Sequence, residues 1–375
     1  MNKKLQYNIR QYIAAHVQEV PDLICIISSI PSSTGHTEKK ASWVLQYLKN
    51  LGIQNAYIDE AGNVIYPHEV SKTEKFPLYN AHIDTVFNQL DTITPAIHGN
   101  ILAAPSCGDN SASVAGLLFL IKMIRELHIS LPTGILFAFN VGEEGLGNLS
   151  GMRHIMVQWK DRIAEVVAVD CSFDTAVHIA VGSRRYAVTV QAEGGHSWMH
   201  FGNDNAIAIA SSIISRLYAM TVPQQPRTTY NVGTIAGGTT INSIAAQATF
   251  TLDLRSESMH ELETLDEAVK KILQDTKTDT IHITQQLLGE RPCSNGVLKA
   301  ELYDRYKAVR DAQGLPTVWQ SGSTDANIPL HLGIPAISFG ICRSHGEHTV
   351  HETLELDTIA PGLQQMADFM FFHII

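Results

Sequence analysis

An α/β fold interrupted by a smaller α+β domain is what this sequence predicts, and three changes of rhythm carry that expectation. Helical segments alternate with short apolar runs up to about residue 180, the pattern changes between about 184 and 290, and the first pattern returns from about 297. The first stretch runs FPLYNA, ASVAGLLFLIKMI, TGILFAFNV, LSGMRHIMVQW and EVVAVD. Such alternation predicts a largely parallel sheet covered on both faces by helices. The middle stretch runs YAVTVQA, a helix from about Asp204 to Ala219, TTYNVGTI, AQATFTLDLR, a helix from about Met259 to Leu273, and DTIHITQQLL. That β-α-β-β-α-β order is the order of a ferredoxin-like unit. VLKAELYDRYKAVRDAQG, NIPLHLGIPAISFG and a closing helix near LDTIAPGLQQMADFMFF then resume the α/β rhythm. One α/β domain over 1–182 and 292–375, interrupted at 183–291, is the simplest account, because exposed loops tolerate insertions.

The composition narrows the function classes. A length of 375 residues suits two domains, and 45% hydrophobic content is ample for a large core. A net charge of -10 without any Lys/Arg run argues against a nucleic-acid or anionic-membrane partner and for a small soluble ligand. MNKKLQYNIRQYIAAHVQEV reads as an amphipathic helix and not as a signal peptide, and no stretch reads as a bilayer span. The five cysteines are odd in number, scattered and without CxxC spacing, which predicts reduced thiols in the cytoplasm.

Side chains suited to a metal gather where apolar runs end, the edge on which open α/β sheets place their sites. His82 and Asp84 in NAHIDTV are two apart on an extended chain and point the same way, so a metal-bound His82 would have Asp84 beside it; the alternative is two solvated loop residues. Asp109 stands where a helix begins, a position that also suits a capping residue. Glu143 and Glu144 close the buried-looking TGILFAFNV run, where two carboxylates repel each other unless a cation compensates them. Asp170 ends EVVAVD, and His345, Glu347, His348, His351 and Glu352 cluster near the C-terminus. Two histidines and three carboxylates are a ligand set that a zinc pair sharing one carboxylate accepts. Adjacent residues on an extended chain face opposite ways, so one of Glu143 and Glu144 can bind metal while the other faces substrate.

The succession AHIDTV, GDNSASVAG, GEEG, VVAVD, GGHSW, NVGTIAGGTTINSI, DLR, GSTDANIPLHLGIP and HTVHE resembles the di-zinc metallopeptidase family of peptidase T, carboxypeptidase G, aminoacylase, acetylornithine deacetylase and succinyl-diaminopimelate desuccinylase. The resemblance runs from about Ile30 to Ile359. It implies a zinc-peptidase-like catalytic domain, a mixed sheet covered by helices, with an inserted lid and dimerisation domain. It assigns His82, Asp109 and Asp170 to one zinc and Asp109, Glu144 and His348 to the other. Asp84 would orient His82, and Glu143 would be the general base and acid. His348 is preferred because the family's last ligand stands four residues before a glutamate; His345 is the fallback and His351 a surface residue. His196 would reach the partner subunit's site and help hold the oxyanion. Asn242 and Arg255 would hold substrate, with an ion pair as the alternative for Arg255, and Gly322, Ser323 and Thr324 would line the same pocket. Asn110 replaces an aspartate frequent in the family and is not a ligand. Cys107 and Cys171 read as small buried thiols, and Trp198 and Trp319 as core residues.

The expected activity is hydrolysis of an amide bond in a di- or tripeptide by metal-bound hydroxide, with two Zn2+ per chain and Co2+ or Mn2+ as alternatives. N-acyl amino acid deacylation is the alternative reaction, and a peptide-binding protein without catalysis is a more distant one. A cytoplasmic homodimer formed through the inserted domain completes the expectation.

Overall fold

The computed structural model describes residues 3–88, 92–294 and 300–374. They divide into one compact unit of Met1–Ala180 with Val297–Ile375 and a second of Val181–Gly296.

The first unit is built on an eight-stranded sheet ordered Tyr57–Ile58, Val64–His68, Ile135–Asn140, Phe76–His82, Ile163–Val169, Ala336–Phe339, Ala176–Ala180 and Trp319–Gly322. Its centre is parallel: Phe76–His82 lies between Ile135–Asn140 and Ile163–Val169, and Ala336–Phe339 continues alongside the latter. Both faces are buried, which explains why ILFAFN is apolar without alternation. Phe137 and Phe139 enter the core that holds helix Ser113–Glu126, while Leu136 and Ala138 enter the opposite core with Met152 and Ile155 of helix Ser150–Trp159. The sheet is mixed, as the family resemblance implied and the parallel reading of the runs did not. Val64–His68 runs antiparallel to Ile135–Asn140, and Ala176–Ala180 antiparallel to Ala336–Phe339.

Cys107–Glu126 departs from the expectation that no stretch suits a bilayer: by length and composition alone it is sufficient. It is instead a core helix, with 89% of its most apolar window buried inside the protein. A small second sheet orders Arg343–His345, Thr353–Glu355, Ile101–Ala103 and Ala96–His98, bringing the C-terminal histidine-rich segment to the turn that carries Asp109.

The second unit has a four-stranded antiparallel sheet ordered Thr228–Gly237, Gln247–Ser256, Gly182–Gln191 and His282–Arg291, with helices Ala206–Tyr218 and Met259–Thr276 packed on it, and a short antiparallel pair of Gly195–His196 with Ser243–Ile244. This is the ferredoxin-like arrangement. Strand Gln247–Ser256 alternates buried and partly exposed residues, as a sheet with one covered face requires. The Asn205 side chain accepts the Ile207 N–H at 2.9 Å and starts the first helix; Ser258 does the same for the second.

Candidate metal centre

Because the three central strands run parallel, their C-terminal ends lie on one edge. His82 is the last residue of its strand, Asp170 follows Ile163–Val169 directly, and Glu143 and Glu144 follow Ile135–Asn140 after two residues. Gly142 makes this last turn possible: it stands at φ 75°, and a Cβ there would lie 2.1 Å from the Ser150 hydroxyl. Asp109 sits in the turn Cys107–Ala112 that opens the core helix, and the Asn110 amide ties that turn to the Val169 carbonyl at 2.9 Å. His348 arrives from the loop after Arg343–His345, at φ 64°.

Among the described residues three groups of potential ligand atoms result, each with its members within 4.8 Å of one another: His82 with Asp109 and Asp170, Asp109 with Glu144 and His348, and His82 with Glu143 and Glu144. Asp109 belongs to the first two. Its Oδ1 is 3.1 Å from His82 Nε2 and its Oδ2 is 3.1 Å from His348 Nε2. The buried His82 Nε2 and Glu144 Oε1 have no hydrogen-bond partner of good geometry, although Glu144 Oε1 lies 3.4 Å from His348 Nε2. Buried polar atoms that approach one another without bonding have the arrangement of ligands aimed at common ions, and imidazole with carboxylate is a donor set that divalent cations accept.

The electrostatics agree. Burial pushes the Asp170 carboxyl up to about 6 and raises Glu144 as well. Burial also opposes ionisation of Asp109, but the imidazoles of His348 and His82 hold its carboxyl well below the usual carboxylate range. His82 would be lowered by burial, yet Asp109, Asp170 and Glu143 raise it well above an ordinary histidine. The hydrogen bond to Asp109, with Glu144, raises His348 to about 10, a shift that solvent moderates because its side chain is 58% exposed. These partners favour the protonated form of both rings when no metal is bound, and protons compete with metal for the same nitrogens. Metal binding at this cluster should therefore release protons, and affinity should rise with pH. Calorimetric zinc titration in two buffers of different ionisation enthalpy reads the release; no proton release would contradict binding through these rings.

Asp84 bonds mainly to the Glu143–Glu144 loop. Its Oδ1 and Oδ2 accept the backbone N–H groups of Glu143 and Glu144 at 3.1 and 3.0 Å, and Oδ2 also accepts the Thr34 hydroxyl at 2.8 Å. The His82 Nδ1–H donates to the Asp84 main-chain carbonyl at 3.1 Å, whereas the carboxylate is 3.7 Å away. The main-chain carbonyl and the carboxylate of Asp84 thus both stand beside Nδ1, the carbonyl nearer, while Nε2 faces Asp109 Oδ1 at 3.1 Å.

The remaining sequence-derived residues separate into three cases. His345 pairs with Glu355 at 2.9 Å and joins none of the ligand groups, and His351 is exposed. Thr324 is buried with its hydroxyl 2.7 Å from Ser338, and a Cβ on Gly322 would meet Val177 at 2.9 Å. Thr324 thus sits in a bonded turn, and Ser323 is partly exposed beside it. In the second unit, His196 and Asn242 line one hollow of about 520 Å³ with Thr239, Thr240 and Ser243. His196 Nδ1 accepts the Trp198 N–H at 3.2 Å, an arrangement that assigns the ring proton to Nε2. Arg255 is absent from that hollow, its Nε bonded to Asp253 at 2.7 Å. The ion-pair alternative describes it better than a substrate grip, since residues two apart on a strand share a face. Trp198 is also corrected: it is 85% exposed on the loop after His196, while Trp319 packs against His178, Tyr303 and Tyr306. All five cysteines are free; Cys107 is fully buried and Cys171 partly exposed.

Two residues near the site escaped the sequence reading, and a third, Glu352, entered it only as a spacing marker. Thr34 braces Asp84. Asp325 is buried, its Oδ2 accepting the Asn80 and Asn140 amides at 2.9 and 2.7 Å, and burial together with Glu143 pushes its carboxyl up to about 8. Glu352 accepts three backbone N–H groups of the Asp109 turn, and burial pushes it up to about 7. Two buried asparagines aimed at STDAN, and the glutamate of HTVHE, were the available signals.

Known proteins match this description. A family model described as a peptidase dimerisation domain matches residues 180–280, and one described as peptidase family M28 matches residues 63–218. A tripeptidase from Staphylococcus aureus superposes with a TM-score of 0.81 at 20% identity, covering 95% of this chain and 98% of the other. Aminopeptidase PepT from Bacillus cereus gives 0.76 at 18%, over 94% and 97%. The YXEP protein of Bacillus subtilis, described as a dinuclear metal-binding peptidase of the M20 family, gives 0.67 at 14%, over 96% and 99%. At these identities the likeness establishes the fold. In that fold, in the two segments matched by peptidase family models and in the order of its motifs, the chain resembles the M20 metallopeptidases.

Proposed function

We propose that the chain is a di-zinc hydrolase that cleaves an amide bond in a small peptide, with Glu143 as general base and acid. The observation that carries the reading is Asp109, shared by two groups of ligand atoms that together use His82, Asp170, Glu144 and His348. When bound, a metal pair supplies polarisation of the scissile carbonyl and acidification of a water molecule. His82, Asp109 and Asp170 would hold one ion, and Asp109, Glu144 and His348 the other. Glu143 is buried within ligand distance of His82, close enough to take a proton from water and return it to the leaving amine. Asp84 fixes the backbone of Glu143 and so aims its carboxylate.

His196 carries its ring proton on Nε2 and is suited to donate to a developing oxyanion. The matched dimerisation segment supports a homodimer in which that donor serves the partner's site. His196→Ala should lower turnover roughly 10²–10³-fold, the effect of removing one oxyanion donor. Mixing it with Glu143→Ala protein should restore activity in verified heterodimers; no restoration would argue against action across the dimer. Asn242, in the same hollow as His196, and Ser323 remain the substrate contacts of this reading. Arg255→Ala should weaken peptides with a free carboxylate if the guanidinium can leave Asp253, and equal loss on esterified peptides would assign it to structure. The reduced cysteines fit a cytoplasmic enzyme.

The reaction is tested by a panel of di- and tripeptides and N-acetyl amino acids, assayed before and after chelation. Chelator-sensitive cleavage of peptides is expected. Cleavage restricted to the N-acetyl compounds would replace the peptidase with a deacylase, and no cleavage after zinc or cobalt is restored would favour a binding protein.

A further inference from the structure

We infer that Glu352 is a positioning residue of the metal centre, holding the turn that carries Asp109 against the segment that carries His348. The inference rests on the di-metal reading above. Glu352 is fully buried and belongs to none of the groups of ligand atoms. Its Oε1 accepts the backbone N–H groups of Gly108 and Asp109, both at 2.8 Å, and its Oε2 accepts that of Ser106 at 2.9 Å. Its own carbonyl accepts the Ala104 N–H at 3.1 Å. One side chain thus serves three main-chain donors of a turn in which Ser106 stands at φ 58° and Asp109 and Asn110 leave helical dihedrals. Bonds of this kind, between N–H groups and a carboxylate, are short and directional.

The packing leaves the turn little freedom to sit elsewhere. A Cβ on Gly108 would lie 2.2 Å from the Ser344 Cβ and 3.0 Å from Glu352 Oε1, so the turn is pressed directly onto the C-terminal segment. The next residues, Thr353–Glu355, pair with Ile101–Ala103, the strand that leads into the turn. Four residues before Glu352, His348 reaches Asp109 Oδ2 at 3.1 Å. Asp109 and His348 come from segments far apart in sequence, and Glu352 joins the two beneath the ligand atoms.

The test is titration of the metal-free full-length protein with Co2+, read by visible absorption and by counting bound metal. It compares wild type, Glu352→Gln, Glu352→Ala and Leu48→Ala. Leu48 is fully buried on helix Glu38–Asn50, which packs on strands Tyr57–Ile58 and Val64–His68, so its alanine variant reports general destabilisation. Glu352→Ala should weaken Co2+ binding by roughly 10- to 100-fold and alter the absorption bands, as loss of support behind a ligand does. Glu352→Gln keeps an acceptor for Gly108 and Asp109 but sets an amide against the Ser106 N–H, and should weaken binding by about 10-fold. Leu48→Ala should lower the melting temperature while binding Co2+ as wild type does. If Glu352→Ala fails to fold, the comparison of Glu352→Gln with Leu48→Ala decides. Wild-type affinity in both Glu352 variants, or equal loss in Leu48→Ala, overturns the positioning role with the metal centre intact. Absence of Co2+ binding by wild type overturns the di-metal reading as well, before any substitution is considered.

Discussion

Glu143→Ala is expected to keep the fold and both metal ions and to lose turnover by roughly 10²–10⁴-fold, the usual contribution of a positioned general base. Glu143 shares a neighbourhood with Glu144, Asp109, Asp170 and Asp325, and its charge is one reason that the Asp325 carboxyl is raised. Removing it relieves repulsion among buried carboxylates, so the metal-free variant should not melt earlier than wild type. Glu143 also lies within ligand distance of His82 and Glu144, and a ligand role would produce a different phenotype. Loss of an ion from Glu143→Ala would assign it to the metals; full metal content with near wild-type turnover would remove it from the chemistry.

Asp109→Ala should be more severe still, because it takes one ligand from each site. Metal affinity should fall by more than the roughly 100-fold typical of lesions behind the ligands, and activity should fall to background. The same substitution removes the carboxylate that raises His82 and His348, so both rings should titrate closer to the ordinary histidine range. NMR titration of the metal-free variant would show this, and unchanged histidine titrations would mean that Asp109 does not face both rings in solution. Metal content close to wild type would rule out the bridging role.

The sequence made the strand-end residues legible. His82, Glu143 and Asp170 follow apolar runs whose lack of alternation reflects burial on both sides, and the edge at which they end follows from parallel strands. The geometry that joins them to Asp109 and His348 was not legible from periodicity, because the joining sheet is made of strands of three residues. Such strands are too short to show alternation, and the motif order alone suggested the connection. Mixed strand direction was hidden for a related reason, since Val64–His68 and Ala176–Ala180 have five residues each and no distinctive turn chemistry. The pairing of Arg255 with Asp253 was readable in DLR from the two-residue period. Trp198 defeats the default that large apolar residues are core, since it lies exposed on the loop after His196. Glu352 looked like a spacing marker until the fold set it beneath Ser106, Gly108 and Asp109.

Metal content per chain, by elemental analysis of untagged protein as purified and after reconstitution, tests the central claim most directly. Two equivalents of zinc, cobalt or manganese in wild type, lost together in Asp109→Ala and kept in Glu143→Ala, are what a centre bridged by Asp109 predicts. A wild-type protein that retains no metal after reconstitution, or holds one ion that Asp109→Ala retains, would contradict it.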